Sequence, residues 1–437
     1  MAGGNFTTQN KVRPGAYVNF KAEVSTGTSD AVGGVVTLPL EVDFGPSGVV
    51  AVSAETDLTA FGYGLGDKAL QPLREALKNA NTVLLFRIGG GSAATGTGTG
   101  LTATAKYPGE RGNAIHVVIE TQANGAIKVD TVLAGKLVDS QQVAKGADLK
   151  DNQLVTFEAS EASEASKALA DGTIQLAGGA NATGTGADYA AYFEAIQVYD
   201  YNVMALPVAD SETKALAAGF TRRLREQEGK KVQVVLGNYD GADYEGVINV
   251  ANGVVLNGEV LTPEQTTAWV AGASASAGVA NSLTYTPYQG ATDASPRFTN
   301  AETIEQIQKG NIVFTEKRGQ AVIEQDINTL VSYSAEKNQD FAKNRVLRVL
   351  DNIANNTKIT FEDNYIGQVN NDVDGRELFK ADRIAYFDSL VAAGAIEAFE
   401  ADDIQVLPGN AKDSIVVNVA VTPIDAMEKL YMTVEVN

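Results

Sequence analysis

One short motif occurs twice in the sequence, and the repeat divides the chain into an inner segment and two flanking parts. Residues 94–98 and residues 182–186 both read Ala-Thr-Gly-Thr-Gly, and glycines precede each copy. Stretches rich in glycine are typical of flexible linkers. Paired linkers indicate a domain inserted at an exposed position of another domain, where the two ends of the insert lie close together. The glycines that we expect to act as hinges are Gly96, Gly98, Gly184 and Gly186.

The segment between the repeats, residues 93–183, has the residue pattern of a small β domain. Apolar and polar residues alternate in short runs, and Pro-Gly and Asn-Gly pairs separate the runs. The alternating runs are residues 115–120, 127–133, 136–143 and 154–157. This pattern predicts an inserted β domain. A single long loop is the alternative, although loops of this length are uncommon in compact domains.

The parts that flank the insert, residues 24–92 and 184–298, alternate between predicted helices and apolar strands. The helices are expected at 67–80, at 211–228 with Asp210 or Ser211 as cap, and after the Thr262-Pro263 pair, which opens a capping box. The strands are expected at 82–88, 203–208 and 232–236. Apolar strands that alternate with helices predict one α/β middle domain whose sheet is covered on both faces.

A second unit, residues 299–422, is predicted to be an α+β domain. Asn300 is the expected cap of its first helix, a hairpin is expected over 312–324, and a helix over 339–355. Basic residues lie on one stripe of that helix and just before it: Lys337, Lys343, Arg345 and Arg348. The stripe has two interpretations, an ordinary solvated face or a docking surface for an acidic partner.

Both ends of the chain have the alternating pattern of a strand. The N-terminal arm, residues 1–23, contains Tyr17, Val18, Asn19, Phe20 and Lys21. The C-terminal arm, residues 423–437, contains Leu430, Tyr431, Met432, Thr433, Val434, Glu435 and Val436. A terminal strand with free hydrogen-bonding groups can complete the sheet of another subunit. The fold class that we expect is therefore a multidomain α/β and α+β protein, with an inserted small β domain and extended strand arms.

Charge and composition exclude several classes of function. The chain has 34 Lys and Arg against 54 Asp and Glu, a net charge of −20, and so acidic a chain is repelled by nucleic acids and by anionic membranes. It has no cysteine and a single histidine, His116, which excludes thiolate chemistry and Cys- or His-rich metal sites. We expect no enzyme activity, catalytic residue, metal or cofactor, no nucleic-acid partner and no insertion into a membrane. No leader is apparent, so we expect a chain that starts in the cytoplasm.

Four segments resemble a known family, the contractile tail sheath proteins of PBSX-like phages and R-type tailocins. They are residues 13–20 (RPGAYVNF), 106–113 (KYPGERGN), 247–255 (VINVANGVV) and 326–330 (DINTL). Their order, with the insert between them and a strand at each end, extends the resemblance over essentially the whole chain.

The resemblance implies a structural subunit that polymerises as stacked hexameric rings around an inner tube and contracts to drive the tube through a bacterial envelope. It implies that the terminal arms join neighbouring subunits and that the C-terminal domain, with the four basic residues, contacts the tube protein. Baseplate and terminator or collar proteins are the other implied partners. Assembly is expected in the host cytoplasm, before release in a phage tail or tailocin particle. The alternatives are an extracellular surface-layer or adhesin-like protein and an α/β enzyme.

Overall fold

The computed structural model of the chain describes residues 2–4, 15–17, 34–98, 100–159 and 169–436, with side chains from residue 34 onward. In that part of the chain the structure is divided into a middle α/β domain, an inserted β domain and a C-terminal α+β domain. This confirms the predicted fold class.

The described residues before the insert form five strands and one α-helix. The strands are β1 (Ala2–Gly4), β2 (Gly15–Tyr17), β3 (Val35–Glu41), β4 (Val49–Val52) and β5 (Thr82–Ile88), and the helix is α1 (Gln71–Leu77). β1 and β2 pair in parallel, so Tyr17 lies in a strand, whereas residues 18–21 of the predicted arm lie outside the described residues. The predicted helix 67–80 is shorter than expected, because residues 68–70 form a 3-10 turn and Pro72 stands in the first turn of α1.

The described residues of the insert form nine strands. They are β6 (Gly90–Ser92), β7 (Thr95–Gly98), β8 (Leu101–Ala105), β9 (Ile115–Thr121), β10 (Ile127–Leu133), β11 (Lys136–Val143), β12 (Val155–Ala159), β13 (Gly172–Gln175) and β14 (Ala180–Ala182). Two antiparallel sheets, ordered β11-β10-β9-β13 and β12-β8-β7, enclose one apolar core. β6 and β14 pair antiparallel and form the two-stranded ribbon that joins the insert to the middle domain. The predicted β domain is confirmed.

The two Gly/Thr repeats are part of this folded structure, so their interpretation as flexible linkers is wrong. Gly96 and Gly98 lie in β7, where the Thr97 hydroxyl bonds that of Thr102 on β8 at 3.1 Å. In the second copy, Gly184 follows β14, Thr185 caps the next helix through a capping box, and Gly186 is the first helical residue. Threonine favours both strands and helix caps, and the cross-strand partner that orders β7 is not visible in the repeat itself.

The chain after the insert continues the middle domain. Its strands are β15 (Val203–Ala205), β16 (Gln233–Gly237), β17 (Val247–Val250), β18 (Gly253–Leu256), β19 (Glu259–Leu261), β20 (Ala291–Ser295), β21 (Asn311–Ile312), β22 (Phe314–Lys317) and β23 (Gln320–Ile323). Its helices are α2 (Gly186–Ile196), α3 (Ser211–Glu226), α4 (Pro263–Ser276) and α5 (Asn300–Gln308). The predicted caps of α3 and α4 are confirmed, since Asp210 accepts from Thr213 and Thr262 forms a capping box with Gln265.

A seven-stranded sheet, ordered β21-β17-β16-β15-β3-β5-β4, is the frame of the middle domain. Its strands are parallel except for β4 at one edge, which is antiparallel to β5. Helices α1 and α4 pack their apolar residues on one face, and α2 and α3 on the other. Burial on both faces explains why the central strands are almost continuously apolar.

The middle domain extends past residue 299, where we expected the C-terminal unit to begin. β21 completes the central sheet by pairing with β17, and Phe314, Ala321 and Ile323 of the β22–β23 hairpin join the same core as Trp269. The first helix of this region also begins one residue earlier than predicted: Thr299 is its cap, because Glu302 completes a capping box with it.

The C-terminal domain consists of two long helices and a hairpin: α6 (Asn344–Asn364), α7 (Val373–Ala392), β24 (Ile404–Pro408) and β25 (Ile415–Val419). The predicted helix 339–355 begins as a 3-10 turn over Gln339–Ala342 and extends in α6 to Asn364. Val349, Phe387 and Ile404 form the centre of its core. Among the described residues, no helix is both long and apolar enough to span a membrane.

Candidate assembly interface

Residues 423–436 first follow their own domain and then leave it. Pro423 forms an isolated bridge with Ile396, and the Ile424 amide donates to the Ala395 carbonyl at 2.9 Å. Glu428 is the last residue of the described segment with a side-chain hydrogen bond to the body of the subunit. The segment that follows, residues 429–436, is called the free arm below.

The free arm exposes the apolar side chains that a folded protein normally covers. The exposed fractions are 81% for Leu430, 73% for Met432, 70% for Val434 and 91% for Val436. The sequence predicts a strand here, but the described residues 430–436 have no regular secondary structure. A strand requires a hydrogen-bonded neighbour, and no described strand of the same chain pairs with the free arm.

The hairpin β24–β25 is a two-stranded sheet, so each of its strands has one edge without a partner strand. Exposed sheet edges of this kind accept a further strand readily. Leu407, Val416 and Val419 on the hairpin are also exposed.

A groove of about 460 Å³ lies between the hairpin and helices α6 and α7. Its lining is largely apolar and includes Phe361, Phe379, Phe387, Ile415, Val417 and Val419. The guanidinium of Arg383 is buried beside it, donates to Asn356 at 2.8 Å and lies over the ring of Tyr386. The apolar groove therefore lies under the hairpin whose edges have no partner strand.

One of the four basic residues that we expected on an exposed stripe, Arg345, is buried, and the side chain of a second, Arg348, is only 11% exposed. Arg348 donates to the carboxylate of Asp326 at 2.8 Å and to the carbonyls of Gly278 and Asn281 at 3.1 and 2.7 Å. Arg345 is only 9% exposed and donates to the Gly394 carbonyl at 3.3 Å.

The other two basic residues form ion pairs with distant parts of the same chain. Lys337 pairs with Glu245 at 2.6 Å, and Lys343 pairs with Glu428 and lies 3.7 Å from Asp425. The expectation of an exposed positive stripe is therefore wrong, because the face that carries these cations packs against the middle domain and the C-terminal segment.

The insert is fastened to the middle domain by side chains as well as by the ribbon. Phe44, which follows β3, is fully buried in the core of the insert, and its ring centre lies 5.4 Å from that of Tyr107. Arg111 of the insert lies over the Tyr63 ring and donates from Nε to the Gly62 carbonyl at 3.0 Å. Burial and a hydrogen bond to Asp43 raise the pKa of Tyr63.

Gly109 lies where the insert comes very close to the backbone of the middle domain. Its φ is +129°, and a Cβ atom there would lie 1.5 Å from the carbonyl oxygen of Asp43. Only glycine fits this position. Hinges are predicted at Gly96, Gly98, Gly184 and Gly186. The tight, specific contact between the two domains at Gly109 opposes such hinge motion.

The crevice where many α/β enzymes bind substrate, at the carboxyl ends of the parallel strands, is about 490 Å³ in volume. Three polar groups of its lining already serve the fold: Asp210 caps α3, Thr185 caps α2, and Gln265 completes the capping box of α4. In the described part of the chain no group of three His, Asp or Glu residues is arranged to hold a metal ion. His116 lies on β9 opposite Val132, as the alternating run predicts.

Family models for phage tail sheath proteins match nearly the whole chain. The matching descriptions are "Tail sheath protein Gp18 domain III N-terminal region" over residues 33–88, "Phage tail sheath protein beta-sandwich domain" over 89–185, "Phage tail sheath protein central domain" over 182–329 and "Phage tail sheath C-terminal domain" over 336–437. The phage-like element PBSX protein XkdK of Bacillus subtilis is 38% identical to this chain, and the alignment covers 100% of both.

Solved structures agree in fold. The sheath tail protein of Desulfitobacterium hafniense superposes with a TM-score of 0.84 at 41% identity, covering 96% of this chain and 99% of that one. The helical sheath of the anti-feeding prophage in its contracted state superposes with a TM-score of 0.59 at 13% identity, covering 97% of this chain and 99% of that one, which is a likeness of fold alone.

Proposed function

The chain belongs to the phage tail sheath protein family, and from that premise we propose how its subunits are joined and what moves when the sheath shortens. It is a structural subunit of a contractile tail or injection apparatus, it assembles with copies of itself into a helical sheath, and it is not an enzyme. The surface-layer or adhesin-like alternative is not favoured.

The free arm of one subunit adds as a strand to the hairpin β24–β25 of a neighbouring copy. Three observations support this: the free arm has exposed apolar side chains, the hairpin has unpaired edges, and an apolar groove lies under that hairpin. Seven arm residues, 430–436, suffice to pair with the five-residue strands β24 and β25. The observation that carries the proposal is the exposure of Leu430, Met432, Val434 and Val436 at alternate positions.

Alternation gives the free arm two faces once it is a strand. Leu430, Met432, Val434 and Val436 enter the groove of the neighbour, while Tyr431, Thr433 and Glu435 face away from it. The backbone of the free arm bonds to the free edge of the hairpin, so affinity comes from main-chain hydrogen bonds and selectivity from the groove. The N-terminal arm, with Tyr17, Val18, Asn19, Phe20 and Lys21, is proposed to join a second neighbour in the same way.

During contraction the three domains of a subunit move together. The buried Phe44 ties the insert to the middle domain, and an ion pair between Arg225 and Asp351 ties the middle domain to α6. Contraction is then a rotation of near-rigid subunits about their interfaces, while the exchanged arms keep the subunits connected. No nucleotide is consumed, because the free energy comes from the rearranged interfaces.

The remaining assembly follows the family. The subunits form stacked hexameric rings around an inner tube protein, and their C-terminal domains face the tube. Baseplate proteins and terminator or collar proteins lie at the ends of the sheath. The tube contact belongs to the C-terminal domain as a whole, since Lys337, Lys343, Arg345 and Arg348 already bond within the subunit. Assembly takes place in the host cytoplasm, and the particle acts outside the cell, driving the tube through an envelope.

Deletion of residues 430–437 tests the arm exchange. The truncated subunit should stay folded and soluble, because the side chains that it loses are exposed, but it should build no cylinders visible by electron microscopy. Matched variants separate the two faces: serine at 430, 432, 434 and 436 should prevent assembly, whereas serine at 431, 433 and 435 should permit it. Ordered cylinders from the truncated subunit would overturn the proposal.

A further inference from the structure

Glu428 is largely covered, although the residues on either side of it are exposed. Its side chain is 11% exposed, whereas Met427 before it is 96% exposed and Leu430 after it is 81% exposed. A carboxylate is costly to bury unless its oxygens are bonded, and those of Glu428 are fully engaged.

Three separate parts of the subunit donate to this carboxylate. Thr284 donates through its hydroxyl at 2.8 Å, Gln325 donates through Nε2 at 2.8 Å, and Lys343, the residue before α6, forms the ion pair. The same Thr284 oxygen accepts from the Asp326 amide at 3.1 Å, and Asp326 is the buried partner of Arg348. The Glu428 contact is thus joined to a rigid polar network within the subunit.

This contact determines the reach of the free arm. With Glu428 held, the eight residues 429–436 extend beyond the anchor, and an extended chain of eight residues spans about 26 Å. Without it, the next backbone hydrogen bond upstream is that of the Ile424 amide to the Ala395 carbonyl, and Asp425 keeps only a partly exposed ion pair with Lys343 at 3.7 Å. Twelve residues would then be free and would span about 40 Å.

We propose that Glu428 and Lys343 form an anchor that fixes where the free arm leaves the subunit, and that this anchor selects which neighbouring copy the free arm reaches. Lys343 is then a positioning residue for strand exchange between copies of this chain and not a contact for an inner tube. The proposal rests on the arm exchange described above. It adds the contact that sets the register in which the free arm pairs with its neighbour.

Engineered cysteines can measure the exchange cleanly, because the chain has none of its own. Val434→Cys on the free arm and Val417→Cys on the hairpin should form an intermolecular disulfide in assembled cylinders. In this background Glu428→Ala should lower the yield of that disulfide by about twofold, since effective concentration falls roughly as the −3/2 power of tether length. The cylinders should also lose helical order.

Two further variants separate the anchor from a general loss of folding. Asp425→Asn alters a carboxylate 3.7 Å from Lys343 but leaves the Glu428 contacts in place. The disulfide yield and the helical order of its cylinders should therefore match those of the parent. The exchange of charges in Lys343→Glu with Glu428→Lys should restore much of the yield that either single change removes. Trp269 fluorescence, from the fully buried and only tryptophan of the chain, verifies that each variant is folded.

The results distinguish failure of the anchor from failure of arm exchange. If Glu428→Ala and the charge exchange both give parental yield and helical order, while deletion of 430–437 still prevents assembly, the anchor is refuted and the arm exchange stands. If the deletion itself leaves ordered cylinders, both are refuted.

Discussion

Arg225 on α3 and Asp351 on α6 form a two-point ion pair, with Nη1 2.6 Å from Oδ2 and Nη2 2.8 Å from Oδ1. Arg225 also donates to the Val232 carbonyl at 3.0 Å, and its side chain is 3% exposed. Burial by itself would lower the pKa of Arg225. The attraction of the Asp351 carboxylate and the hydrogen bonds that Arg225 donates to it outweigh this effect, so the pKa of Arg225 is raised. This pair joins the middle domain to the C-terminal helices.

Asp351→Ala should lower the free energy of unfolding by about 3–5 kcal/mol, because it leaves the Arg225 charge buried without a partner. Denaturant unfolding followed by Trp269 fluorescence measures the loss. Glu305→Ala is the matched control. It breaks an exposed ion pair, in which the side chain of Lys309 is 47% exposed and that of Glu305 is 61% exposed. It should lower the free energy of unfolding by less than about 1 kcal/mol. Equal losses in the two variants would contradict the assigned role of the pair.

Phe44→Ala should detach the insert from the middle domain without unfolding either of them completely. Truncation of a fully buried Phe costs about 3–5 kcal/mol, and here the lost contacts are those between domains. Limited proteolysis should then cut near the β6–β14 ribbon faster than in the parent. Leu137→Ala, at a side chain of the insert that is 53% exposed, should leave the cleavage rate unchanged.

Local signals in the sequence were sufficient for the elements whose stabilising contacts are close in the chain. Asp210 bonds Thr213 and Thr262 bonds Gln265, three residues away in each case, and both caps were predicted. The small inserted domain was predicted from its alternating runs.

Contacts between distant residues account for what sequence reasoning missed. Periodicity places Arg348 on the predicted basic stripe with Lys343 nearby, but the partners of Lys343 and Arg348 lie 85 and 22 residues away, at Glu428 and Asp326. No local pattern could therefore show that this face is covered. The strand pairing that orders the first Gly/Thr repeat is hidden for the same reason, and so is the entry of Phe44 into the core of the insert.

Arg348→Glu should destabilise the isolated subunit and so cannot serve as a simple test of tube binding. The change places a second carboxylate beside Asp326, which is 1% exposed, and like charges in a buried site are strongly unfavourable. The melting temperature of the subunit, measured without any tube protein, should fall by several degrees. Lys412→Glu reverses an exposed charge in the same domain and should leave the melting temperature within about one degree.

Attachment of the C-terminal segment should persist to a lower pH than an ordinary glutamate would allow. Burial opposes ionisation of Glu428, but hydrogen bonds from Lys343, Gln325 and Thr284 outweigh it, so its pKa lies below the ordinary value of 4.5. A lowered pKa in the folded state means that ionised Glu428 stabilises the attachment fully above pH 4.5 and loses this effect as the pH falls through the lowered value.

Lys343, Asp425 and Tyr285 are the other titratable groups that face Glu428. Amide hydrogen exchange of residues 422–428, corrected for the intrinsic rate, should show constant protection from pH 7 to pH 5 and a loss of protection only below the ordinary glutamate pKa. Glu428→Gln should show weaker protection that does not change with pH over this interval, because the amide cannot ionise. If protection in the parent declines between pH 6 and pH 5, the contacts described here do not lower the pKa of Glu428.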